Sequence, residues 1–148
     1  MLVEAHVTIN APRAAIWRAI TDMEHAPDVI TGIKKIEIVD TPAHGLAGLK
    51  WRETRILFGK PATVEKWITG AAEHQSYETR AESDGFVFVT TMRLSESSGG
   101  MVLTSGHDSQ PQTLMARLQS IPMALLFKGV IRKAILQDLN DIKAAVER

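Results

Sequence analysis

No cysteine occurs in the 148 residues, which excludes a disulfide framework, a thiolate zinc site and a cysteine nucleophile. Neither sign of charge is in excess. Seventeen Lys and Arg balance seventeen Asp and Glu, nine of each in residues 1–74 and eight of each afterwards. Nucleic-acid binding draws on clustered cations. The densest groups here, Lys34-Lys35, Lys50/Arg52/Arg55 and Arg132-Lys133, are interleaved with apolar or acidic residues and read as solvated faces. No apolar run reaches the roughly 18 residues of a membrane span. The longest, Ile121 to Ile135, contains Pro122, Lys128, Arg132 and Lys133. The opening MLVEAHVTINAP lacks the basic and then apolar regions of a secretory signal. These absences predict a soluble, cytoplasmic chain that binds no nucleic acid and has no integral membrane association.

What is present reads as a single domain over residues 1–148, a length at which roughly 70% of the unfolded surface can be buried. Val3, Ala5, Val7 and Ile9 alternate with polar residues, the period of a half-buried strand. Pro12 then opens a short helix carrying Ile16, Trp17 and Ile20 on one face, and Pro27 opens a second that stops at Gly32, a natural C′ position. Six strands follow, at about 33–40, 49–58, 62–70, 74–83, 86–95 and 101–109, separated by Gly-rich turns such as Gly59-Lys60-Pro61, Asp84-Gly85 and Gly99-Gly100. Such short connections imply an antiparallel meander. Phe86, Phe88, Thr90, Met92 and Leu94 share one face of the fifth of these strands, taken as inward.

After a short helical stretch at Leu114, Met115 and Leu118, the final helix is expected to begin at Pro122, which can start a helix but not sit inside one. Phe127, Ile131, Ala134, Ile135, Leu139, Ile142 and Val146 form its apolar stripe. Leu125, Leu126, Val130 and Leu136 widen that stripe. The first half is therefore expected to be covered on more than one side, to line a cavity, or to touch a partner.

This order of elements resembles the superfamily of START domains, birch-pollen allergens and polyketide cyclase/dehydrase-like proteins, known as SRPBCC. VTINAPRAAIWRAITDMEHAPDVITGIKKIEIVD is similar to that family's opening, GLKWRETRILFGKPATVEKW to its third and fourth strands, and GGMVLTSGHDSQP to its last strand and following loop. The resemblance implies an α+β helix-grip fold. In it a seven-stranded curved antiparallel sheet, with two short helices after the first strand, wraps one long C-terminal helix. It also implies a hydrophobic or amphipathic small-molecule ligand between sheet and helix. Ser105 and His107 stand where larger apolar residues are usual in that family.

Chemistry-bearing motifs are few. His6, His25, His44, His74 and His107 are scattered without metal-ligand spacing, so no metal site is expected and no cofactor is implied. There is no G-x-S-x-G elbow, and Gly45-Leu46-Ala47-Gly48 lacks the Lys and the helix of a phosphate loop. If Met101, Leu103, Ser105 and His107 point inward, the imidazole enters the cavity; otherwise it is a surface or hydrogen-bonded histidine at a strand end. In the strand at 49–58, either Trp51, Glu53, Arg55 and Leu57 or Arg52, Thr54, Ile56 and Phe58 face inward. The first register puts a carboxylate and a guanidinium on the concave wall. The second makes them a solvent-side ion pair. Lys66 poses the same question against Trp67.

The candidate ligand-lining residues are Trp51, Glu53, Arg55, Tyr77, Phe86, Phe88, Thr90, Met92, Leu103, His107, Phe127 and Ile131. The leading expectation is a binding or lipid-transport domain, monomeric or homodimeric. Its rivals are a cofactor-free cyclase or dehydratase using His107 or Glu53 as acid or base, and an interaction module docking through Leu125, Leu126 and Val130.

Overall fold

Alternation along Leu2–Ile9 buries Val3, Ala5 and Ile9 and leaves Glu4 and His6 in solvent, and these residues form the first strand, β1. The computed structural model describes residues 1–148, the side chains of Met123 and Ala124 excepted. After β1 come α1 (Arg13–Thr21), α2 (Ala26–Val29) and the strands β2 (Ile33–Asp40), β3 (Lys50–Leu57), β4 (Lys60–Ala72), β5 (Ser76–Ser83), β6 (Phe86–Ser97) and β7 (Gly100–Pro111). The chain ends in α3 (Leu114–Val146). All seven strands join one antiparallel sheet in the order β1-β7-β6-β5-β4-β3-β2. Only the β1–β7 neighbours are distant in sequence. The curved sheet grips α3, the helix-grip architecture.

Two hairpins close on two-residue turns, Phe58-Gly59 and Asp84-Gly85, with φ of 52° and 79° in each. Positive φ at both central positions matches the right-handed twist of the flanking strands. β4 accordingly starts at Lys60, with Pro61 inside the strand opposite Ile56.

Pro12 caps α1, whose Ile16, Trp17 and Ile20 are buried as their spacing requires. Together with Val3, Ile9, Ile68, Leu103 and Leu139 they build the core beneath α3. Gly32 follows α2 without a left-handed φ. It serves a different purpose: a Cβ there would lie 2.9 Å from Nη1 of Arg55, so its bareness makes room for that guanidinium.

The last helix departs from expectation at its start. Thr113 caps it, its hydroxyl accepting from the Ala116 N–H at 3.0 Å, and Pro122 lies inside it. The missing proline donor is accommodated by a bend of 78° between Leu114–Pro122 and Leu125–Val146. Coverage on more than one side of the first half does not occur, for Leu125, Leu126 and Val130 are all exposed. Among the described residues no single helix is long and apolar enough to cross a membrane.

Candidate functional site

β3 fixes the site by its register. Trp51 and Glu53 are buried and Arg55 follows them on the concave wall, while Arg52 faces out to Glu37 and Glu65. Lys66 of β4 also points inward, directly opposite Trp51, and Trp67 turns outward beneath the Lys50 ammonium. Both questions left open by the sequence are settled by this geometry.

Glu53, only 7% exposed, is the hub. Its Oε2 accepts from Arg55 Nε at 2.8 Å and from Lys66 Nζ at 2.9 Å, and its Oε1 accepts from the Trp51 indole N–H at 3.3 Å. Arg55 continues to Asp138 of α3 through two parallel hydrogen bonds. Two carboxylates and two cations thus neutralise one another across the gap between sheet and helix. Burial pushes the Glu53 carboxyl up, but the charges and hydrogen bonds of Lys66 and Arg55 outweigh it and hold the group at about 2. For Arg55, burial opposes the charge, while Asp138 and Glu53 keep it protonated.

On either side of this cluster the protein is hollow. An inner cavity of about 100 Å³ lies against Ile20, Met23, Val29, Ile30, Trp51 and Met92. An outer cavity of about 300 Å³ lies against Leu57, Ala62, Val64, Ala81, Phe88 and Ile131. Both touch Glu53, Arg55, Lys66, Thr79, Thr90, His107 and Asp138, so they are two lobes of one space divided by a polar girdle.

The far wall of that girdle is a row across three strands. Thr79 of β5 sits opposite Thr90 of β6, which sits opposite His107 of β7. Ser105, 4% exposed, and Thr79, 5% exposed, are nearly enclosed. Among the described residues none of these four side chains has a hydrogen-bond partner, yet no fully enclosed polar atom lacks one. Their polar atoms therefore open on the hollow. Burial, followed by the charges of Lys66 and Arg55, lowers His107 to about 4 against a smaller opposing pull from Glu53, so the ring is neutral at pH 7.

Of the sequence candidates, Trp51, Glu53, Arg55, Tyr77, Phe88, Thr90, Met92, His107 and Ile131 line one lobe or both. Tyr77 presents its ring, since its hydroxyl donates to Ile20 O at 3.0 Å and holds α1 on the sheet. Three candidates lie outside the linings. Leu103 is wholly buried in the core, Phe86 stacks on Phe88, and Phe127 meets Phe58 edge-on at 5.7 Å. Asp138 was not a sequence candidate, although it interrupts the stripe of Ile131, Ile135 and Ile142. A lone acid on an apolar face was the available signal. Thr79 carried none. Among the described residues no three His, Cys, Asp or Glu side chains come together as a metal site.

Solved structures with this architecture are numerous. Zhui aromatase/cyclase from Streptomyces sp. R1128 superposes with a TM-score of 0.75 at 17% identity, over 100% of this chain and 94% of its own. A START superfamily protein from Mycobacterium smegmatis gives 0.70 at 16%, over 99% and 94%. Ara h 8.0201 gives 0.70 at 17%, over 99% and 97%. At such identities the likeness concerns the fold. No curated protein matches in sequence. A sequence model of one family, however, covers residues 2–147, and by that match the chain belongs to the polyketide cyclase/dehydrase and lipid transport family.

Proposed function

We propose that the protein binds or transports a hydrophobic or amphipathic small molecule in the hollow between the sheet and α3. The observation that carries this reading is the set of unpartnered polar groups, Thr79, Thr90, Ser105 and His107, which open on the hollow beside the Glu53, Arg55, Lys66 and Asp138 cluster, with apolar side chains lining the rest of each lobe. Buried polar groups are rarely left without partners, and here a ligand's polar atoms would supply them. Apolar burial at ~25 cal/mol per Å² provides affinity, and the row fixes orientation. The outer lobe reaches the lower end of the roughly 300–1,000 Å³ usual for small-molecule sites, with the inner lobe extending it.

A cyclase-like reaction in the same hollow is the second reading, favoured by a neutral, unpartnered imidazole beside Thr90. With His107 lowered to about 4, it is a weak base at neutral pH. Glu53, already holding three donors, is poorly placed to take a proton. Binding is therefore the stronger reading.

Native mass spectrometry of gently purified protein, together with titration of a fluorescent fatty acid, tests it. The expected result is a stoichiometric organic adduct, or probe binding that Ala81→Phe abolishes by filling the outer lobe. Absence of both adduct and saturable binding would sink the proposal. Turnover of an aromatic polyketide analogue, lost in His107→Asn, would favour the enzyme instead.

A further inference from the structure

The hollow leaves one large feature unexplained. Apart from Leu2, Ile38 and Val39, every exposed large hydrophobic side chain among the described residues lies in two segments, the end of the β3–β4 hairpin and the first half of α3. Phe58 at the hairpin apex is 82% exposed, as is Leu125, and Leu126 is 70% exposed. Leu114, Leu118 and Ile121 extend the surface before the Pro122 bend. The Phe58–Phe127 contact joins hairpin and helix into one continuous face. An apolar area of this extent is not a scatter of single residues and needs an occupant.

Charge selects the occupant. The chain as a whole is neutral, yet α3 has no acid from Leu114 to Gln137 and the hairpin has none from Thr54 to Val64. The same segments carry Lys60, Arg117, Lys128 and Lys133, all exposed and without an ion-pair partner among the described residues. Asp84 stands in the β5–β6 turn beside the start of the helix, a single acid against these four. A second copy seated on this face would bring like charges together across its two-fold axis. An apolar surface rimmed by long cationic side chains matches a bilayer with anionic headgroups, into whose interface apolar residues sink while Lys and Arg reach the phosphates.

We propose that the first half of α3 and the β3–β4 turn form a docking surface for an anionic lipid bilayer. The protein lies on the membrane and does not span it. Ile135, Leu139 and Ile142 are buried under the sheet, and Arg55 holds Asp138, so the second half of α3 is committed to the core. The proposal stands independently of what the hollow holds.

Flotation of the full chain with vesicles of phosphatidylglycerol in phosphatidylcholine, and with phosphatidylcholine alone, tests it. The wild type is expected to float with the anionic vesicles, more weakly as salt rises. Leu118→Glu with Leu126→Glu should abolish flotation with an unchanged melting temperature, since both side chains are in solvent. Each cation at such a surface contributes about fivefold in affinity, so Arg117→Gln with Lys128→Gln should weaken binding about twenty-five-fold. Ala81→Phe, which blocks the outer lobe, should float like the wild type and so separates the two proposals. No flotation, or equal flotation of the leucine variant, overturns the membrane reading. So does a dimer that Leu126→Glu makes monomeric in light scattering, or binding of polyglutamate without binding of vesicles.

Discussion

Arg55 and Asp138 join the sheet to the terminal helix through a two-pronged contact, Nη1 to Oδ1 at 3.2 Å and Nη2 to Oδ2 at 2.8 Å. It is the only ion pair between β3 and α3 among the described residues, and it spans the hollow where apolar packing is missing. A fork of this kind fixes distance and angle together.

Removing one partner should therefore cost more than removing an ordinary surface charge. Asp138→Ala leaves the guanidinium half-buried with Glu53 alone. A loss of about 2 kcal/mol is expected, below the 3–5 typical of fully buried pairs because both side chains retain some solvent. Arg55→Met with Asp138→Leu should recover part of that loss by packing. Urea midpoints for the four-member cycle give the coupling. An Asp138→Ala change within about 0.5 kcal/mol of wild type would show that the contact is ornamental to stability.

Gly32 makes the same contact vulnerable from the other side. A Cβ would come within 2.9 Å of Arg55 Nη1 and 3.5 Å of Asp138 Oδ1, so Gly32→Ala must displace the guanidinium. The guanidinium is the end of a long side chain that can give way, so the penalty is that of its weakened hydrogen bonds, about 1 kcal/mol. In an Arg55→Ala background the obstruction is gone, and there the same substitution should be neutral or slightly stabilising through the unfolded chain. Thermal melts in the two backgrounds decide the matter. An equal penalty in both would place its origin in the backbone.

How far this site was legible in the sequence depends on the kind of signal each residue carried. Period-two alternation exposed the inward face of β6, and the paired charges at Glu53 and Arg55 gave two registers to choose between. Only the partner strands could choose, because burial of Trp51 and the inward turn of Lys66 are properties of the sheet. Pro122 misled for a related reason. Proline starts helices more readily than it interrupts them, but the Thr113 cap nucleates this one eight residues earlier and a bend absorbs the missing donor. Thr79 was invisible because a threonine in a strand is ordinary. What distinguishes it is the absence of a partner, and that is a fact of three dimensions.

Acid should unmask His107. Its folded pKa is lowered from 6.5 to about 4, so the unfolded chain binds more protons between those values. Its contribution to stability is fully present above pH 6.5 and is lost as the pH falls toward 4. Glu53, lowered from 4.5 to about 2, loses its own contribution only below pH 4.5. The stability difference between wild type and His107→Asn, followed by urea denaturation, should be constant above pH 6.5 and shift against the wild type between 6.5 and 4. A difference that stays flat through that window would mean that the imidazole titrates normally and faces water.

Thr79→Val separates binding from folding at a single atom. The residue is 5% exposed, its hydroxyl opens on both lobes and has no hydrogen-bond partner among the described residues, so on folding it gives up most of its contact with water with no compensating bond. Replacing it with a methyl should leave stability unchanged or raise it by about 1 kcal/mol, the reverse of most polar substitutions in a core. If the hydroxyl instead serves a ligand, affinity for that ligand should fall by roughly tenfold, the equivalent of one hydrogen bond. The two measurements are a denaturant midpoint on ligand-free protein and a binding titration. A marked loss of stability would show that Thr79 has a partner within the fold, and the polar row would then be part of the scaffold. A gain in stability with weaker binding is the signature of a site held open at the expense of its own core.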